Sequence, residues 1–326
     1  MTGNSTLSVA GEIYVEHDSS LSGSGLVVDL LAGGVYTHDT GKTLTVTDGA
    51  VLRFNQVETL DSGSIIELAG APVGDPTLDL NEDFTNDGLI SVSSIHAAAT
   101  STIDIAVSKT LSNNGTIHAT GTTGVDRLIS GDIDNASGGI IDIDNNLTYN
   151  SGTLDNQSGA TIDVDANVSG SGTVSNNAII SANAGDWSIA LTNVSGASVQ
   201  VYNSIDVFTF SGTVTNQGDL LVHDFIDDGL FTELNVTGTV NNTGLVQLDS
   251  GADEDVLLDL TGGLLNNNSG GELEINAGSG GARTVNGEVN NAGTVDVNTD
   301  TTFNMGANSF DNLSGGLFDV AVSTTT

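Results

Sequence analysis

From Phe84 onward the sequence repeats one short phrase. An apolar residue, any residue and Asn lead into a Gly-containing turn, and a strand alternating apolar and polar residues follows. FTNDGLISV (from Phe84), LSNNGTIHA (Leu111), LDNQSGATIDV (Leu154), VTNQGDLLV (Val214), LNNNSGGELEI (Leu265) and FDNLSGGLFDV (Phe310) are six of the copies. The Asn column they define is Asn86, Asn113, Asn135, Asn156, Asn176, Asn193, Asn216, Asn242, Asn267, Asn291 and Asn312. The turn has two lengths: Asn113 stands four residues before Ile117, and Asn156 stands six before Ile162. A fixed frame with a variable corner is the mark of stacked repeats.

A repeat of about 20–25 residues holds two or three short strands and their turns. One such rung cannot bury its apolar side alone, but a stack of rungs buries a continuous core, each rung touching only its neighbours. Segments such as IDIDN, IDVDA and VDVN read apolar in, acid out, with the period of two that strands require. The expected fold is therefore all-β, a single-stranded parallel β-helix (β-solenoid). Asn suits its turns because it tolerates left-handed dihedrals and bonds local backbone; stacked in register, the amides also bond one another. The first stretch, 1–85, is less regular but written in the same style, with LSV (7–9), IYV (13–15), LTV (44–46) and LDL (78–80) between turns; 86–326 holds the regular repeats. The Pro-containing stretch from Ala71 to Pro76 reads as a surface loop near the change of style.

Composition narrows the function. Acidic residues number 42 against 5 Lys and Arg, for a formal charge of −37. Nothing in this chain could neutralise a phosphate backbone, which argues against nucleic acid, and an anionic membrane would repel it. No apolar run approaches the length that spans a bilayer, so membrane insertion is not expected. With no Cys there is no disulfide, thiolate zinc site or thiol nucleophile. Residues 1–4 lack a basic, apolar leader.

The repeated L-x-N-x-G-x-I-x-V text, preceded in places by GTVNN, resembles bacterial repeat-rich surface adhesins of the filamentous-haemagglutinin and autotransporter-passenger β-helix type. The resemblance runs from about residue 84 to 320. It implies an extracellular or bacterial cell-surface location and a role in adhesion, biofilm or matrix; catalysis is not expected, because the five Lys and Arg are scattered and no catalytic motif occurs. Partners would be cell-surface or extracellular glycans and matrix, or the chain itself: neither end of the text reads as a cap, so rungs of separate copies could stack end to end into a filament. The alternative is a β-helix polysaccharide-active enzyme or a glycan-binding, tailspike-like protein, which would need clustered carboxylates.

No cofactor is required by any motif. The outward strand column runs Ser91, His118, Asp142, Asp163 and onward, and Asp144 and Asp165 lie at the next outward step. Stacked strands hold such acids about 5 Å apart, so Asp142, Asp144, Asp163 and Asp165 form a face on which calcium could relieve repulsion. A solvated acidic face is the plain reading. His17, His38 and His223 each precede an Asp and read as surface residues, and no His set has metal-ligand spacing.

Overall fold

The structure, a computed structural model, describes residues 5–72, 74–94, 99–122, 127–202, 207–224, 231–251, 254–278 and 280–321. Its described residues are strands and turns, without helix, and parallel strands stack as a β-solenoid. The chain divides into two compact units, Met1–Thr173 and Val174–Thr326.

In the first unit, strands come in threes. Ser101–Ile105, Thr110–Asn113 and Thr116–Gly121 make one coil; Arg127–Ser130, Asp132–Asn135 and Ile140–Ile143 make the next. Each strand pairs in parallel with its counterpart one coil on, so Leu111 meets Ile133 and Ile133 meets Leu154, while Ile117 meets Ile141 and Ile141 meets Ile162. All of these side chains are buried. Burying each contributes roughly 1.5–3 kcal/mol, and the gain recurs in every coil. The less regular opening stretch follows the same plan: Leu26–Leu30, Val35–His38 and Thr43–Thr47 form a coil whose first strand pairs with Val51–Phe54. The Ala71–Pro76 connection joins successive coils, and Thr77–Leu80 pairs with Val51–Phe54 across it. Tyr36, Phe54 and Phe84 stack through this part of the core with ring centroids 5.1 and 5.2 Å apart.

The second unit repeats the pattern. Ala190–Asn193 pairs with Thr213–Asn216, and that strand with Thr239–Asn242. In Val256–Asn267 and Arg283–Asn291 the first two strands of a coil run together, with a register shift between Leu260 and Leu264. The coil Thr301–Asn304, Phe310–Asn312, Leu317–Val320 turns one Phe from each strand toward the others, and Phe303, Phe310 and Phe318 meet at 5.2–5.8 Å.

The two turn lengths use Gly for different reasons. In the long form Gly138 sits at φ 88°, a left-handed conformation only Gly adopts freely. In the short form Gly115 packs on the coil before, and a Cβ there would lie 2.1 Å from the Gly88 carbonyl oxygen.

Candidate functional site

Two kinds of arrangement stand out, asparagine ladders and a His–Asp cluster on the acidic face. The second strand of each coil in the regular part ends at Asn with its side chain turned inward, because the apolar residue two positions earlier sets that face. In the first unit Asn86 Nδ2 donates to Asn113 Oδ1 at 2.7 Å, Asn113 to Asn135 at 2.7 Å, and Asn135 to Asn156 at 2.7 Å. In the second unit the chain runs Asn176, Asn193, Asn216, Asn242, Asn267, Asn291 and Asn312, each link 2.8 Å. The same amides also bond backbone, as where Asn113 Nδ2 donates to Ile140 O, the carbonyl opening the next coil's third strand, at 3.0 Å. Asn86 through Asn291 are fully buried; Asn312 is exposed and donates within its own turn to Gly316 O. The buried asparagines, Asn86 through Asn291, staple turn to turn, and burial leaves them no surface for a ligand.

An outer ladder runs beside the inner one. Asn266 Nδ2 donates to Asn241 Oδ1 at 3.0 Å and Asn290 Nδ2 to Asn266 Oδ1 at 3.2 Å. The sequence signal was the Asn–Asn dipeptide: neighbours in a strand face opposite ways, so 241/242, 266/267 and 290/291 feed two ladders. A third row joins Asn81 to Asn55 at 2.8 Å, and Asn55 to Asp29.

On the acidic face, His118 pairs with Asp142, and Asp142 with Asp163, in adjacent strands. His118 Nε2 lies 2.8 Å from Asp144 Oδ2 and 3.5 Å from Asp142 Oδ2. The structure therefore gathers His118, Asp142 and Asp144, whose candidate ligand atoms all lie within 4.8 Å of one another. Asp163 stands directly beside Asp142, while Asp165 lies one outward step further on the exposed side. Partial burial pushes the Asp142 carboxyl above its ordinary value; Asp144 adds to the rise, His118 opposes it, and Asp163 adds a little more. One imidazole and two carboxylates could hold a divalent ion, and the imidazole departs from the all-oxygen shell calcium takes. His118 was already in the outward column; its missing signal was that Asp144, two residues beyond its partner, reaches back to it.

The three largest buried polar side chains among the described residues were not anticipated. Arg127 and Arg283 both open the first strand of a coil after a long connection, and both are buried. Arg127 donates from Nε to Thr120 O at 2.7 Å and from Nη2 to Thr122 O at 2.8 Å. Arg283 reaches Asn276 O at 3.1 Å, Ala277 O at 2.6 Å and Gly281 O at 2.9 Å. A guanidinium has five donors in a planar fork and here closes a loop by filling its carbonyls. The third is His38, which the sequence placed at the surface. It is 4% exposed, because it ends a second strand on the inward face and finds partners there.

A hollow lies where the four-residue connection of 106–109 overhangs one-residue connections in the next two coils. Val107, Ser108, Gly131, Asp132 and Gly152 line it.

Fold and ladders together define a parallel β-solenoid with three strands to the coil and a buried asparagine spine. No family model matches the sequence, and no curated protein matches it. Among solved structures, a crystal structure of a TibC-catalysed hyper-glycosylated TibA fragment aligns with 99% of this chain and 97% of its own, at 17% identity and a TM-score of 0.28. An alignment that loose transfers nothing from one protein to the other.

Proposed function

We propose that this chain is a non-catalytic structural or adhesive solenoid that works outside the cell or on its surface. The observation that carries the reading is that the same buried Asn-to-Asn bond recurs in coil after coil of both units. A buried spine repeated in this way builds a stack and offers no side chain to a substrate. The outward faces support the same reading, because they are rows of short polar and acidic side chains, and a charge of −37 suits a salty exterior that screens it. Such rows offer hydrogen bonds at the spacing of the coils, a pattern that suits repeating, neutral partners such as glycans. A coil left exposed at either end of a stack, wherever the polypeptide begins and ends, also offers strand edges and a ladder amide to a second copy.

The test joins two measurements on the purified chain, negative-stain imaging and binding to an array of neutral glycans and matrix proteins. Fibres support the scaffold form of the proposal, and discrete particles with saturable binding support the adhesive form. Discrete particles that bind nothing, or turnover of a polysaccharide that stops in Asp142→Asn, would overturn it.

A further inference from the structure

The inner column does not begin with Asn. In the first three coils its place, the end of the second strand, is taken by Val15, His38 and Leu60, all buried. Val15 pairs with His38 in a two-stranded sheet of its own and Leu60 pairs with Asn86, so His38 holds the same place in its coil, the end of the second strand, without a ladder pairing to Leu60. Its ring is held on both sides: Nε2 lies 2.9 Å from Lys42 O and Nδ1 lies 2.8 Å from the Tyr36 hydroxyl. A carbonyl only accepts, so Nε2 carries the proton. Nδ1 of the neutral ring then accepts, and Tyr36 donates. Tyr36 is fixed in turn, edge-on to Phe54 with centroids 5.1 Å apart and to His38 at 5.7 Å. Burial, with a smaller push from Glu58, keeps the Tyr36 hydroxyl protonated at any ordinary pH.

We infer that His38 is a proton-operated latch on the opening coils of the first unit. A proton added at Nδ1 turns the acceptor into a donor aimed at another donor. The Tyr36 hydroxyl must then turn round, and its hydrogen loses its partner inside the core. The Asn rungs at the same column have no group that titrates in this way, so they ignore the change. The latch stands independently of the adhesive or scaffold role.

The charged groups that act on the ring are Asp39, next in the chain, and Asp61 beyond; Lys42 offers it a backbone carbonyl across the turn. Burial pushes the imidazole below its ordinary 6.5, against upward pulls from the Lys42 carbonyl, Asp39 and Asp61. A depressed histidine contributes stability that is fully present above about pH 6.5 and is lost as pH falls through the lower, folded value. Opening then takes up one proton, and the local opening constant rises up to about tenfold per pH unit in that window.

Hydrogen exchange followed by mass spectrometry on the full chain between pH 7.5 and 5, corrected for intrinsic rates, reads this directly. Val35–His38 and Thr43–Thr47 should lose protection in acid by up to about tenfold per pH unit, while Arg283–Asn291 does not. His38→Asn, the residue later coils use here, should remove the pH dependence. Tyr36→Phe strips the neutral ring of its donor, brings the folded value back toward the ordinary 6.5 and should shrink the loss. Protection in Val35–His38 that does not change with pH, or the same pH dependence in His38→Asn, would overturn the latch. Should His38→Asn not fold, ring 15N shifts of the native chain decide. Nε2–H with late protonation supports the latch; a ring that titrates at 6.5 or above sinks it.

Discussion

Asn193 Nδ2 stands 2.8 Å from Asn216 Oδ1, and Asn216 Nδ2 stands 2.8 Å from Asn242 Oδ1 and 2.7 Å from Leu245 O. Asn216 therefore satisfies one coil below and one above with a single side chain. Asn216→Ala leaves a donor hydrogen on Asn193 and the Leu245 carbonyl without their amide partner in a site closed to water, while Asn242 Oδ1 keeps the Gly244 N–H. Each such orphan costs about 1–3 kcal/mol, so a loss of at least about 2 kcal/mol is expected. Asn266→Ala, on the outer ladder, is half-exposed and should cost under about 1 kcal/mol. Denaturant midpoints of the two variants check the contrast, and equal costs would mean the inner column is wet.

Arg283 supplies a second prediction. Arg283→Met removes the fork that fills the carbonyls of Asn276, Ala277 and Gly281. Destabilisation of about 3 kcal/mol or more should follow, with new protease cleavage within 276–282. Arg283→Lys should restore little, because a point ammonium cannot match the fork. Limited proteolysis with mass mapping reads both.

Charge gives a third. Partial burial raises the carboxyl of Glu272, and Glu274 and Asp296 raise it further. A raised acid contributes stability that is fully present below its unfolded value and lost as pH rises through the folded one. Glu272→Gln should therefore raise Tm at pH 8 and leave it unchanged at pH 3.5, as read by the fluorescence of Trp187, the single Trp, which is buried in the same unit.

Across the whole chain, self-repulsion at −37 means that sodium chloride should raise Tm. An extra rise with calcium at matched ionic strength, lost in Asp142→Asn with Asp144→Asn, would mark uptake by the acidic face. Calorimetry in the two salts measures it.

The phrase around Asn113, Asn156 and Asn216 was enough to read coils, strand faces and an aligned Asn column, because a repeat prints the same physical constraint many times over; that the column is buried came from the structure. What happens once leaves no such print. Arg127 and Arg283 gave no periodic signal, and their partners are backbone carbonyls, which any residue supplies. His38 looked like a polar surface residue because its burial depends on Tyr36, two positions back on the same inward face, and on Lys42 O across the turn. The cluster of His118, Asp142 and Asp144 joins neighbouring coils, and only the strand register brings it together.

The stacking register itself can be tested by cross-linking, because the native chain has no Cys to interfere. Asp142 and Asp163 face outward as direct partners in adjacent strands, and so do Gln247 and Glu274. Strands about 4.8 Å apart bring such pairs within disulfide range. Double-Cys variants at 142/163 and at 247/274 should each form an intramolecular disulfide under mild oxidation, seen as a mass loss of about 2 Da. Offset pairs at 142/161 and 247/272 should not. Efficient bonding of the offset pairs, or failure of both in-register pairs, would contradict a chain coiled and stacked in this register.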